Sequence, residues 1–277
     1  MKRRWRKLRK MLLMLCVLVV AVVYLSPFYI AFVYSFKTKQ EITFTKLALP
    51  TQLRFDNYRA VLQDDEFFTA LKNSVITTIP TVLLLLIVCP MAAYVLARNK
   101  KKGYNMVYTF FLVGLLVPYQ AVLLPIYANL RSMGLLNTYL GNILVKVAFQ
   151  ISITILICTG FVNDISTEME EAAFVDGLGH SGAFWRIIYP LMSPVLISAL
   201  IIDALFAWND FQLSTVTLMR EQVQTLPQMM YRYFGVRSIA INEAFASFTL
   251  SMLPLVVLYL SMQKYITSGV MAGAVKG

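Results

Sequence analysis

From Met11 to Phe36 the chain carries no Asp, Glu, Lys, Arg or His, and that run narrows its possible folds more than any other feature. About 20 consecutive apolar residues, wound as a helix, cross the hydrocarbon of a bilayer. A helix that is apolar on every side has to be surrounded by protein or by lipid. The same kind of stretch returns over residues 73–97, 105–128, 140–162, 193–215 and 244–263, interrupted only by Lys146, Asp203 and Asp210. The expected fold class is therefore all-α: a polytopic membrane helical bundle with six transmembrane helices, forming one membrane domain over residues 1–277. Prolines 27, 80, 90, 118, 125 and 254 fall inside these stretches, which bundles of membrane helices tolerate.

Composition agrees. Only 14% of the 277 residues are charged, against about 25% in soluble domains. The net charge of +11 does not indicate nucleic acid, because the basic residues sit beside the apolar runs. Lys2, Arg3, Arg4, Arg6, Lys7, Arg9 and Lys10 precede the first run, and Arg98, Lys100, Lys101 and Lys102 follow the second. If the spans alternate, both clusters share a side, which the positive-inside rule assigns to the cytoplasm. The N- and C-termini and residues 164–190 then face inward, and residues 37–66, 131–139 and 219–243 face outward. The first run is too long for a signal peptide and lacks an A-x-A-like site, so it is read as a retained helix.

Cysteines 16, 89 and 158 lie apart in apolar runs and His180 is the only histidine. That excludes a disulfide framework and a histidine-based metal site, and leaves a membrane-embedded enzyme without a nucleophile or metal constellation. No catalytic residue is expected. The phosphate-cradling G-x-x-x-x-G-K-[ST] pattern does not occur, so no cofactor or nucleotide is expected on this chain.

The polar loop over residues 164–190 is patterned. Thr167 and Glu170 have capping-box spacing, and Glu168, Glu170 and Glu171 crowd a first turn, where the helix dipole favours acids. Met169, Ala172, Ala173 and Asp176 are read as one face, whose alanines let a partner come close. Gly177 can take positive φ and end the helix. A second short helix over residues 182–188 follows, with Pro190 ending it or redirecting the chain. By physics alone, a connector docked on its own bundle fits as well as a partner-binding elbow.

Glu171-Ala172-Ala173, Gly177, Ile187 and Pro190 occur at the spacing E-A-A-x3-G-x9-I-x-L-P, with Tyr189 where leucine is usual. This resembles the EAA loop of binding-protein-dependent ABC importer permeases. Ser268 to Gly277, Trp208-Asn209-Asp210-Phe211, and Pro27-Phe28 with Ser35-Phe36-Lys37 resemble the maltose-type carbohydrate subfamily, in its smaller six-span subunit. The resemblance implies a type I ABC importer permease fold in the cytoplasmic membrane of a prokaryote. It implies import of a carbohydrate, an oligosaccharide by expectation. Implied partners are a second permease subunit, a cytoplasmic ATPase dimer holding ATP and Mg, and an extracytoplasmic solute-binding protein. Glu171, Ala172, Ala173, Gly177, Ile187 and Pro190 would couple to the ATPase. Gly273, Ala274 and Lys276 of the tail would lie near it, and the outer loop over residues 220–242 would meet the binding protein.

Asp203 and Asp210, with Trp208 and Asn209 between them, are ionisable or polar groups within a span. Such groups face the bundle interior or a water-filled path, or pair structurally. Seven residues apart, the two acids are read as sharing one helix face and lining the sugar path. The alternative is an ion-coupled secondary transporter or channel, for which these two acids are the whole support.

Overall fold

The computed structural model describes residues 2–235 and 241–274, with the side chains of residues 5–7, 9–231 and 241–264. The described residues are helical, and they form two compact units. One comprises residues 1–67 and 230–252, the other residues 68–229 and 253–277.

In the first unit, α1 (Lys2–Ser35) is followed by short helices α2 (Lys39–Thr45) and α3 (Asp56–Leu62). Two polar side chains satisfy the ends of α1 and α2. Asn57 donates to Ser35 O at 2.7 Å and to Lys37 O at 3.0 Å. Lys37, fully buried, donates to Thr45 Oγ1 at 2.9 Å and Lys46 O at 2.7 Å. Burying an ammonium costs far less when its protons find acceptors. A capping box starts α2: Thr38 accepts from Glu41 N and its own N–H donates to the Glu41 carboxylate. The Thr38 backbone bond, with a Thr51 hydroxyl bond, lowers the Glu41 pKa to about 2. Residues 9–29 of α1 are exposed, whereas Ala31 and Val33 near its end are buried; the exposed apolar run suits lipid or another membrane helix.

The second unit is built on α4 (Asp65–Arg98) and α7 (Tyr139–Asp164). Between them the expected third span is broken: α5 (Lys102–Gly114) and α6 (Tyr119–Ser132) meet at 101°. Pro118, which lacks an N–H, sits at the start of α6. After α7 come α8 (Glu168–Val175), α9 (His180–Ala183), a π-helical turn (Phe184–Ile188) and α10 (Tyr189–Leu191). Pro190 does not end this run. The chain turns at Met192, 74° into α11 (Ser193–Asn209). Then follow α12 (Gln212–Thr217), α13 (Leu226–Gly235) and α14 (Ile241–Ala274). Among the described residues, four helices are long and apolar enough to cross a membrane, and up to six spans result if each bent pair counts as one.

One buried cluster joins Ala93, Tyr94 and Ala97 of α4 to Cys158 and Val162 of α7, Phe184 and Ile188 of the π turn, and Val195 and Leu196 of α11. Small residues at such crossings let membrane helices pack closely. The elbow after α7 is thus rooted in the same core as the spans.

Candidate functional site

Glu170 does not make the expected capping box. Thr167 makes no side-chain cap bond, and Glu170 is buried instead. Its carboxylate pairs with Arg98, the last residue of α4, and accepts from Tyr94 Oη at 2.9 Å. Arg98 also donates to Val162 O and Ile165 O, each at 2.9 Å, so one guanidinium caps the end of α7 while holding α8. A planar fork of donors suits that double task.

This pin sets which way α8 faces. Glu170 and Ala173, three apart, are buried; Glu168, Glu171, Ala172 and Val175 are exposed, the spacing of one outward stripe. The two alanines therefore do not share a face: Ala173 turns into its own unit and Ala172 turns out. Gly177 has φ 83°. Its N–H donates to Phe174 O at 3.0 Å and that of Leu178 to Ala173 O at 2.9 Å, the paired bonds of a Schellman end. No atom lies within 4 Å of where a Gly177 Cβ would stand, so the glycine is required by φ and not by space. Ile187 is half-buried and Pro190 exposed.

The span-five residues do not gather at one place. Asp203 is fully buried and accepts from Thr154 Oγ1 of α7 at 2.9 Å. Trp208 lines a groove with Val75, Ile79, Leu200, Pro254 and Leu258. Asn209 ends α11, and Asp210 has extended backbone, so the acids are not on one helical face. Asp210 instead accepts from Leu213 N at 3.0 Å and Ser214 N at 2.9 Å, groups that the start of α12 leaves free. Opposite stands Lys146 of α7, fully buried. Its Nζ donates to Ala207 O at 2.8 Å and lies 3.7 Å from the Asp210 carboxylate. The carbonyl of Ala207 is one that the end of α11 releases. Lys146 and Asp210 thus satisfy the two broken ends of span five. A lone lysine inside an apolar run was the sequence signal for this partner.

Asn209 and Asp210 open onto a second groove, of about 500 Å3, shared with Tyr119, Phe149, Phe206, Phe211 and Gln212. Of the residues lining it, sequence reading had named Asn209, Asp210 and Phe211, whereas Trp208 lies in the other groove. Periodicity could not show that α6 and α7 would bring rings to the break. On the tail, Gly273 and Ala274 are the last residues of α14, and Lys276 lies outside the described residues, as do residues 236–240 of the outer loop. Residues before that gap are tied down: Asn73 donates to Gln222 O and Gln224 O at 3.0 and 2.8 Å.

A family model described as "Binding-protein-dependent transport system inner membrane component" matches residues 89–271. The chain is 33% identical, over 97% of each protein, to the "Probable starch degradation products transport system permease protein AmyC" of Thermoanaerobacterium thermosulfurigenes. It is 32% identical, over 94% of each, to the melibiose/raffinose/stachyose import permease protein MelC of Bacillus subtilis (strain 168). In fold it resembles a chain of a bacterial ABC transporter involved in import of the acidic polysaccharide alginate, with TM-score 0.79, 24% identity, and 94% of this chain and 96% of that one covered.

Proposed function

The chain belongs to the binding-protein-dependent transport system inner membrane components, and from that premise we propose that it passes a carbohydrate inward, driven by a separate ATPase that grips α8. It is a multi-pass integral membrane protein and a permease subunit of an ATP-binding-cassette importer. The starch-product and melibiose/raffinose/stachyose relatives support a sugar, and an oligosaccharide in particular. The ion-coupled alternative is not favoured by this kinship.

The observation that carries the coupling role is the divided face of α8. Its inner side is tied by Glu170 to α4 and, through Arg98, to α7. Its outer side leaves Glu171, Ala172 and Val175 without cover. A rigid helix of this kind transmits a push, and Gly177 fixes the angle to the next short helix. In this proposal ATP and Mg sit in the partner ATPase dimer, a second permease completes the path, and an extracytoplasmic solute-binding protein delivers the sugar. The membrane is the cytoplasmic one, with both termini inside.

Gly177→Val tests the elbow. A branched side chain at φ 83° is strained by about 1–3 kcal/mol. Sugar uptake in cells making the whole transporter is expected to fall at least ten-fold, with less ATPase copurifying through this chain. Normal uptake by a normally assembled variant would count against the elbow. Failure of the wild-type chain to copurify with any ATPase would remove the coupling role itself.

A further inference from the structure

The apolar run of α1 is longer than a bilayer needs. Residues 11–36 wind into roughly 39 Å of helix, against a hydrocarbon thickness of about 30 Å. The fold divides the run. Every residue over 11–29 is exposed, which is roughly 28 Å of helix, whereas Ala31, Val33, Ser35 and Phe36 are buried. Around those last turns the Phe55 ring packs on Phe36, centroids 5.3 Å apart, and Phe245 packs on Tyr34 at 5.1 Å. Lipid thus has one bilayer's length of α1 to cover, and protein covers the rest.

The segment after α2 returns to that boundary. Tyr29 Oη donates to Leu47 O at 2.8 Å, and Tyr29 lies roughly 9 Å of helix before the end of α1. Leu47 therefore stands beside the last exposed turn of the span and not beyond its tip. Phe44, Leu47, Leu49, Leu53 and Phe55 are all exposed, Phe44 by 83% and Leu49 by 70%. So many large apolar side chains, clustered and uncovered, mark an interaction surface. Lys39, Lys46 and Arg54 are set among them and are also exposed. The acid in their midst, Glu41, is taken up by the Thr38 N–H and the Thr51 hydroxyl, and the next, Asp56, begins α3. Residues 46–55 are not helical. Irregular backbone cannot lie open to hydrocarbon, so this segment belongs at the headgroup layer, where water satisfies its polar groups. We propose that residues 39–55 are a lipid-binding surface lying on the phospholipid leaflet where α1 leaves it. The apolar side chains sit at the hydrocarbon edge, and Lys39, Lys46 and Arg54 meet the phosphates within reach of water. The depth of Leu47 selects this occupant, because the surface continues the lipid-covered part of α1. The proposal stands on the membrane-spanning fold alone, apart from the coupling role and the sugar.

The test uses the complete complex in nanodiscs of phosphatidylethanolamine and phosphatidylglycerol, this chain with its permease partner and ATPase, with the binding protein omitted. In a chain whose Cys16, Cys89 and Cys158 have been replaced, a bimane fluorophore is placed on a single cysteine at Leu49, at Leu53 or, in the exposed outer loop, at Gln222. Phospholipid brominated in its acyl chain near the headgroup quenches a fluorophore that touches lipid, and iodide quenches one that faces water. The probes at Leu49 and Leu53 are expected to be quenched by brominated lipid at least three-fold more than the probe at Gln222, and by iodide at least three-fold less. Leu47→Asp combined with Leu49→Asp puts charge on the apolar side and should at least halve the lipid quenching at Leu53. Probes at Leu49 and Leu53 that answer to iodide and not to brominated lipid overturn the proposal. Shielding of both from both reagents overturns it too, because the permease partner then covers the surface. Lipid quenching at Leu53 that the two aspartates leave unchanged shows that these side chains do not seat the segment, and also refutes it.

Discussion

Arg98 shows how much one side chain can join. Its guanidinium meets Glu170 and two carbonyls at the end of α7, so α4, α7 and α8 share one rivet. Both partners are mostly buried. Removing the cation leaves a carboxylate held only by Tyr94, and breaking such a pair costs about 3–5 kcal/mol. Arg98→Ala is expected to lower the detergent melting temperature of the complex and cut uptake at least ten-fold. The ATPase should still copurify, because the outward face of α8 is untouched. Tyr94→Phe removes one bond to a charged group, about 1.5–3 kcal/mol, and should be milder in both readings. Uptake at wild-type level in Arg98→Ala would show that the push does not travel through this contact. The sequence displayed the acidic first turn of α8 plainly. It could not tell that Glu170 would turn inward, because its partner lies 72 residues away and a local capping bond satisfies the same spacing.

At the scale of elements, the apolar runs were legible because lipid demands length and continuity, and nothing local competes with that demand. The interruptions were not. Pro80, Pro90 and Pro254 sit inside unbroken helices, whereas the chain breaks beside Pro118 and at Asp210, which is no proline at all. Whether a span bends or parts depends on who satisfies the freed backbone groups. For span five that partner is Lys146, on another helix. This gives a double-mutant expectation. Lys146→Met strands the Asp210 carboxylate and the Ala207 carbonyl, and should be the worst of the set in melting temperature and assembly. Asp210→Asn keeps an oxygen for the start of α12 but leaves a buried ammonium. Lys146→Met combined with Asp210→Asn removes both charges, so it should melt above Lys146→Met alone, by the logic of buried pairs. Strictly additive losses would mean that the two groups do not work as a pair.

For the whole molecule, the strongest sequence argument is charge asymmetry, which acts during insertion and leaves little trace in the folded contacts. The basic residues in the first turns of α1 and Lys100, Lys101 and Lys102 are exposed or lie among side chains outside the described residues. Their meaning comes from the bilayer and not from packing. It is therefore checked by sidedness. In a chain whose Cys16, Cys89 and Cys158 have been replaced, a single cysteine at Ala172 or Lys100 should react with a membrane-impermeant maleimide only when the cytoplasmic side is opened. One at Lys46 or Gln222 should react in intact cells, once the outer envelope is permeable to the reagent. All four positions are exposed, so a failure to label cannot be put down to burial. The pattern also tests the count of spans. If the bent pair of α5 and α6 dips in and returns on the same side instead of crossing, Gln222 and Ala172 change sides relative to Lys100, and α8 no longer meets the compartment in which ATP is hydrolysed.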